Sequence, residues 1–446
     1  MNKSTLALAV AVGVMAQQAG AAGFLEDSKA SVSSRTMYYD ADMREGAGTA
    51  ANRQRETAEG LKFDYLSGFT QGTVGFGIDA QALVGIHLDG GKGHHPVGNA
   101  NSFFPSDGNA SADEWSRLDG NVKARFSKTE AHLGGALAPN LPILIANDSR
   151  VLPQTFDGGT ITSKEIDNVT FNVGQLEHAS GRASSNRTGL AVAGGTQDSN
   201  QFRYAGADWK VTKDLLLQYY YANLEDYYKQ NFLGLVHVYP IAPNQSFKTD
   251  IRYFDSRSDG KNGDVGYRFN NNNGFAKTPG EVDNKTWSAM FTYTLGGNAF
   301  LLGHQRVNDD GGFVFLNQGS LVDDKGRQEG AGGASFYSFT DATVGSFIRA
   351  GENTTFGQYS YDFASLGVPG LKASIAYLNG QDIKATNGIG KDLSEHETDA
   401  RIDYVIQTGL LKGFGTTLRH GTYRGNTSTL DQDQTRLIFN YTYSFL

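Results

Sequence analysis

The 446-residue sequence contains no cysteine, so disulfide staples and thiolate-held metal are both excluded. Proline is scarce, at nine residues, and strands are therefore seldom interrupted. No apolar run reaches the ~20 residues that a membrane-spanning helix needs, and mean hydropathy is −0.40. A helical membrane protein is thereby excluded. A β-barrel is not, because its lumen-facing residues are polar. Net charge is −8 with no block of like charges, which argues against nucleic acid as a partner and against a charged disordered tail. What is abundant is glycine, 56 residues, together with 27 Phe and 21 Tyr, a balance rich in strands and turns. No Pro/Ser linker or shift in composition marks a boundary, so one domain over 23–446 is expected.

The first residues set the compartment. Lys3, the short apolar stretch Leu6 to Met15 and then Ala19-Gly20-Ala21-Ala22 have the form of a cleaved secretory signal over 1–22. About 424 residues then remain for the exported protein.

Alternation carries the fold assignment. Val74, Phe76, Ile78, Ala80, Ala82, Val84, Ile86 and Leu88 share one parity, while Gly75, Gly77, Asp79, Gln81, Gly85 and His87 share the other. Such a run far exceeds the ~5–6 residues of a usual globular strand and suits a tilted barrel wall. The even positions are expected to meet lipid and the odd ones water. Thr435 to Leu446 repeats the pattern, with Leu437, Phe439, Tyr441, Tyr443 and Phe445 opposite Arg436, Ile438, Asn440, Thr442 and Ser444. Its run of aromatics fits a girdle at a membrane interface. Arg117, Lys123 and Arg125 share one face of another strand, which fits water better than a globular core. Short turns such as Gly296-Gly297-Asn298 contrast with long polar stretches such as Asp255 to Glu281 and Gly380 to Glu397. That asymmetry fits short periplasmic turns and long outer loops. At ~22–26 residues per strand and loop, about 16 to 18 strands are expected, enough for an aqueous channel. Ala136 to Gly159 breaks the alternation with three prolines among apolar residues. Two explanations stay open there: a loop folded inward to narrow the channel, or a loop packed on an ordinary core.

Several stretches, in order along the chain, resemble the OprD family of substrate-specific outer-membrane porins. They are Gly23 to Ser28 leading to Arg35, Ser67 to Gly77, Val122 to Arg125, Ser149 to Thr155, Leu224 to Tyr228, Gly367 to Gly370 and the Arg436 strand. The resemblance covers nearly the whole chain after the leader. It implies an all-β fold, an 18-stranded transmembrane antiparallel barrel with an infolded constriction loop, in the outer membrane of a Gram-negative bacterium. It also implies a barrel that is monomeric or loosely trimeric, among outer-membrane lipid and lipopolysaccharide, with no cofactor. The implied function is passive uptake of small carboxylate solutes, either aliphatic or aromatic acids or amino acids. A ladder of basic residues is implied at Arg35, Lys123, Arg125, Arg150, Arg419 and Arg436. Where some relatives carry further basic residues, this chain has Gln358, Ala376 and Thr417; Lys372 and Arg401 are candidates to compensate. The departure puts selectivity for basic amino acids in doubt. Phe232 to His237 looks more like members associated with acids that lack a second amine.

The chemistry of such a ladder is direct. A carboxylate entering a narrow pore must exchange hydration for other donors, and guanidinium offers a bidentate fork. Arg125, Arg419 and Arg436 are expected to meet it in turn near the constriction. The opposing possibility is that each cation merely pairs with a wall acid such as Asp79, Asp119 or Asp403. Nine histidines raise the question of metal, but His94 and His95 are adjacent and strand neighbours point apart. No metal site is expected. Two other function classes remain. One is a barrel hydrolase of lipase or protease type, for which no Gly-x-Ser-x-Gly elbow is found. The other is an exported soluble β protein that binds glycans.

Overall fold

A computed structural model describes residues 23–44, 53–90, 94–95 and 103–446; the leader at 1–22 lies outside them. Among the described residues, eighteen long antiparallel strands form one closed sheet, and the two-residue strand Arg187–Thr188 adds a nineteenth member. Closure is made by the first and last strands, Lys29–Met43 and Gln432–Ser444, in register from Ser31 opposite Ser444 to Met43 opposite Gln432. A closed sheet leaves no unpaired backbone edge in hydrocarbon.

The wall follows the alternation. Along Val74–Asp89, Phe76 is 49% exposed while its neighbours Gly75 and Gly77 are buried, so even positions face the membrane. At the end of the last strand Tyr443 and the following Phe445 are exposed, with rings 6.1 Å apart, and Arg436 points inward at 4% exposure. The turns at 127–128, 164–168, 243–244 and 296–297 lie at the end that holds both termini. The connections 138–154, 181–201, 259–282 and 308–352 lie at the other. Two stretches read as loops are partly wall: strands run to Ser258 and Ile383 and resume at Asp283 and Leu393. A strand continues through polar residues there because ladder bonds, not side-chain polarity, hold it.

The irregular stretch is an infolded loop, narrower than 136–159. Leu137 ends one wall strand and Thr155 begins the next. Between them, Asn140–Leu141 and Leu144–Ile145 make a small hairpin, and the segment then turns into the lumen. Gly60 shows how close it comes: a Cβ there would lie 2.5 Å from the carbonyl oxygen of Val151. Only a residue without a side chain lets the loop cross the wall at that point. Connection 308–352 also folds inward, joined to the first by the Ile145–Ser335 bridge and by Asn147 Nδ2 donating to Gly333 O at 3.2 Å. Connection 181–201 completes the interlock, with Asn317 N donating to Ala191 O at 2.9 Å. Leu144, Leu190, Val192, Phe313, Val314 and Leu316 bury one apolar cluster inside the barrel. The loops thus carry a core of their own, which fixes a constriction rather than a floppy plug.

Candidate substrate pathway

Four guanidiniums converge on one level of the lumen: Arg150 from the first infolded loop, Arg182 from the second, and Arg419 and Arg436 from the wall. They lie within electrostatic reach of one another. Tyr39 sits among them, its ring centre 5.2 Å from Arg150 Cζ and 5.9 Å from Arg436 Cζ. Arg436 is aimed by Gln434, whose Oε1 accepts from Nε at 2.6 Å, and by Thr343 O, which accepts from Nη2 at 2.6 Å. Gln434 in turn donates to the Tyr39 hydroxyl at 2.9 Å. Ser149 Oγ accepts from Arg182 at 2.8 Å and from Arg150 at 3.2 Å. None of the four makes an ion pair among the described residues, and the Nε–H groups of Arg150, Arg182 and Arg419 have no acceptor. Burial and the Arg150 charge both push the Arg182 guanidinium below its usual range. Asp341 lies within electrostatic reach of Arg182 and Arg436, and Asp399 and Asp403 within reach of Arg419. No ion pair is closed among the described residues, however, and part of the donor capacity stays free, which suits an incoming anion.

The remaining sequence candidates divide differently. Arg35 is held bidentately by Asp148, Nη1 to Oδ1 at 2.6 Å and Nη2 to Oδ2 at 3.0 Å, and also donates to Arg150 O at 2.8 Å. It is the clamp of the infolded loop. Lys123 Nζ lies 2.6 Å from Asp79 Oδ1, Lys372 Nζ 3.1 Å from Asp362 Oδ2, and Arg401 is forked onto Asp403 at 2.6 and 2.8 Å. Arg125 has no ion pair among the described residues, but it stands apart from the cluster, two residues from its strand's periplasmic turn and 4.3 Å above the Phe69 ring. The structure brings Arg419 and Arg436 together and places Arg125 apart from them, near the periplasmic mouth.

Three groups escaped the sequence. Arg182 and Asp341 sit in loops without periodicity, and Tyr39 lies at the far end of the strand that carries Arg35. Asp341 opens onto lumen water although it lies deep in the barrel. That enclosure raises its carboxyl above the ordinary aspartate range, against the pull of Ser335, the Phe336 amide, Arg182 and Arg436. Beside it, Arg401 and Arg419 line a recess of about 210 Å³ with Gln358, Ser374 and Thr343. On the extracellular side of this recess, acids fasten loop 308–352 to the wall. Glu397 accepts from Val344 N at 2.8 Å and Gly345 N at 2.6 Å, and Glu395 receives Arg349 and Tyr423. His95 belongs to a separate buried group. It is fully buried, its Nδ1 2.8 Å from Glu56 Oε1 and its Nε2 2.7 Å from Ser106 Oγ. No group of metal-binding side chains is assembled among the described residues.

The model of the outer membrane porin OprD family matches residues 22–445. The chain belongs to the OprD family. Porin D of Pseudomonas aeruginosa is 32% identical over 100% of this chain and 99% of its own length. Porin-like protein GalP of Pseudomonas putida is 31% identical over 99% and 97%. Among solved structures, OccK8 (OprE) of Pseudomonas aeruginosa matches with a TM-score of 0.83 at 42% identity, covering 95% of this chain and all of that one. OpdK of the same organism, crystallised with vanillate, matches with a TM-score of 0.79 at 29% identity over 95% and 100%. As an OprD-family member the protein is an outer-membrane channel of a Gram-negative bacterium that passes small solutes, and not an enzyme.

Proposed function

We propose that this porin takes up small monocarboxylates, aliphatic or aromatic, by passive diffusion along its unpaired arginines. The observation that supports this is the cluster of Arg150, Arg182, Arg419 and Arg436, which forms no ion pair with an acid among the described residues. An acid entering the constriction exchanges water for guanidinium donors at several neighbouring points. Passage then needs only short hops between weak sites. Arg35, Lys123, Arg125, Lys372 and Arg401 contribute wall potential around that path rather than a seat for the carboxylate. Vanillate, an aromatic carboxylate, occupies the crystal structure of the relative OpdK, which supports the aromatic branch. Amino acids are the second substrate class, with Asp341 placed to meet the ammonium end. The barrels are taken to associate only weakly in threes.

Liposome swelling tests the reading. Proteoliposomes should admit acetate, benzoate and vanillate faster than an uncharged solute of similar size, with no energy source. A barrel that conducts potassium chloride but shows no preference for acids over neutral solutes would overturn it.

A further inference from the structure

One concavity of the surface lies outside the channel. It is an open groove of about 810 Å³ on the membrane side of the wall. Its floor is made of small outward-facing residues, Ala124, Ala131 and Gly159, and its sides are Phe76, Leu133 and Ile161. The indentation has a local cause. Register slips beside Gly158, at the bulge after Asp157 and between Phe156 and Gly158, and bulges bend the strand that carries them. At the end nearest the outer leaflet the groove meets Gln175 and Arg203.

Arg203 faces outward and is exposed, its Nε donating to the neutral Gln175 Oε1 at 3.0 Å. Asn223 stands opposite Arg203 in the ladder, and Lys229 stands opposite Asn223 on the next strand. Two strand spacings, about 10 Å, separate the two cations, a gap their long side chains close. Neither has an ion pair among the described residues. The carboxylate beside Arg203 is Glu177, which accepts from Gln175 at 3.4 Å, and the residue opposite Lys229 is Arg257, so the patch stays positive. Two strands from Asn223, by contrast, Arg257 is neutralised by Asp255 and Asp283. An apolar groove edged by one exposed cation, with a second further along the wall, both at the extracellular ends of their strands, has the chemistry of a phosphorylated, multiply acylated lipid. We propose that this face binds lipopolysaccharide, with an acyl chain in the groove and a lipid A phosphate on Arg203 and Lys229.

Native mass spectrometry of the full barrel, delipidated in detergent and re-exposed to lipid A, tests this. Arms with dephosphorylated lipid A and with phosphatidylglycerol separate phosphate, acyl and headgroup contributions. Arg203→Gln/Lys229→Gln should lower lipid A occupancy about three- to tenfold, to the level the dephosphorylated lipid shows on the wild type. Gly159→Leu, where a Cβ meets nothing closer than Leu133 Cδ1 at 3.5 Å, should fill the floor and lower occupancy with both charges intact. Lys285→Gln, an exposed cation of the same belt away from the groove, should retain wild-type occupancy. Heat-modifiable gel migration shows that each variant is folded. Equal lipid A occupancy in the wild type, the double variant and Gly159→Leu would overturn the proposal. So would tighter binding of phosphatidylglycerol, or lipid-free wild-type oligomers that Gly159→Leu dissociates, since a second copy would then be the occupant.

Discussion

Arg401 and Arg419 are direct partners across two neighbouring strands, line the same recess and carry the same charge, yet they are prepared for different tasks. Arg401 is forked onto Asp403 two residues along its own strand. Arg419 has no ion pair among the described residues, and its Nε–H finds no acceptor there. The same division runs through the pathway: Arg35, Lys123 and Lys372 are neutralised by Asp148, Asp79 and Asp362, whereas Arg150, Arg182 and Arg436 are not. A count of basic residues therefore overstates the ladder. An ion pair already formed must be broken before its cation can serve a substrate, whereas an unpaired guanidinium gains from the substrate's arrival. The loops decide which is which, since two of the four free arginines come from infolded segments.

The comparison can be strained from its strongest point downward. Removing Arg436, the most enclosed of the free set, should have the largest effect. A charge-assisted bond contributes roughly 1.5–3 kcal/mol where water is excluded, so Arg436→Gln should cut benzoate uptake about tenfold in liposome swelling, with neutral solute passage kept. Gly60→Leu attacks the frame instead. It forces Val151 and its loop away from the wall and should cost about 1–3 kcal/mol, read as lower thermal stability and a raised potassium chloride conductance.

A smaller effect concerns pH. Burial, with Glu395 as its neighbour, raises the Glu352 carboxyl well above the glutamate range. Between the ordinary value and the raised one, the folded protein holds a proton that the unfolded chain has lost. Stability of the 308–352 attachment is therefore full below that window and falls as pH rises through it. Single-channel records should show more loop closures at about pH 8 than at about pH 5, and Glu352→Gln should abolish the difference. Smallest of all is Arg125→Ala. At the mouth, above Phe69, it should change acid uptake by no more than about twofold, as expected of an exposed charge.

How far the sequence speaks follows the same physics. The wall is legible because lipid and water impose opposite demands on alternate residues, as along Val74–Asp89. That Ala136 to Gly159 leaves the wall is legible because its prolines and apolar residues suit neither solvent nor a central strand, but those residues alone do not tell an inward loop from one packed on a core. Its path is not legible, since that depends on Gly60 lacking a side chain and on segments without periodicity. Arg182 and Asp341 are invisible for that reason. Pairing is legible only within a strand. Arg401 and Asp403, two apart, must share a face, whereas Lys372 meets Asp362 through a hairpin register that one sequence does not display.

The most direct test sets Arg419→Gln beside the charge-neutral double variant Arg401→Gln/Asp403→Asn, with benzoate uptake in liposome swelling as the readout. The double variant removes a paired cation together with its acid, so Asp403 is not released to neutralise Arg419. The account predicts that Arg419→Gln loses uptake about fivefold, as for a charge-assisted bond partly screened by lumen water, while the double variant stays near wild type. Equal losses in the two, or a larger loss in the double variant, would contradict the claim that unpaired arginines carry recognition.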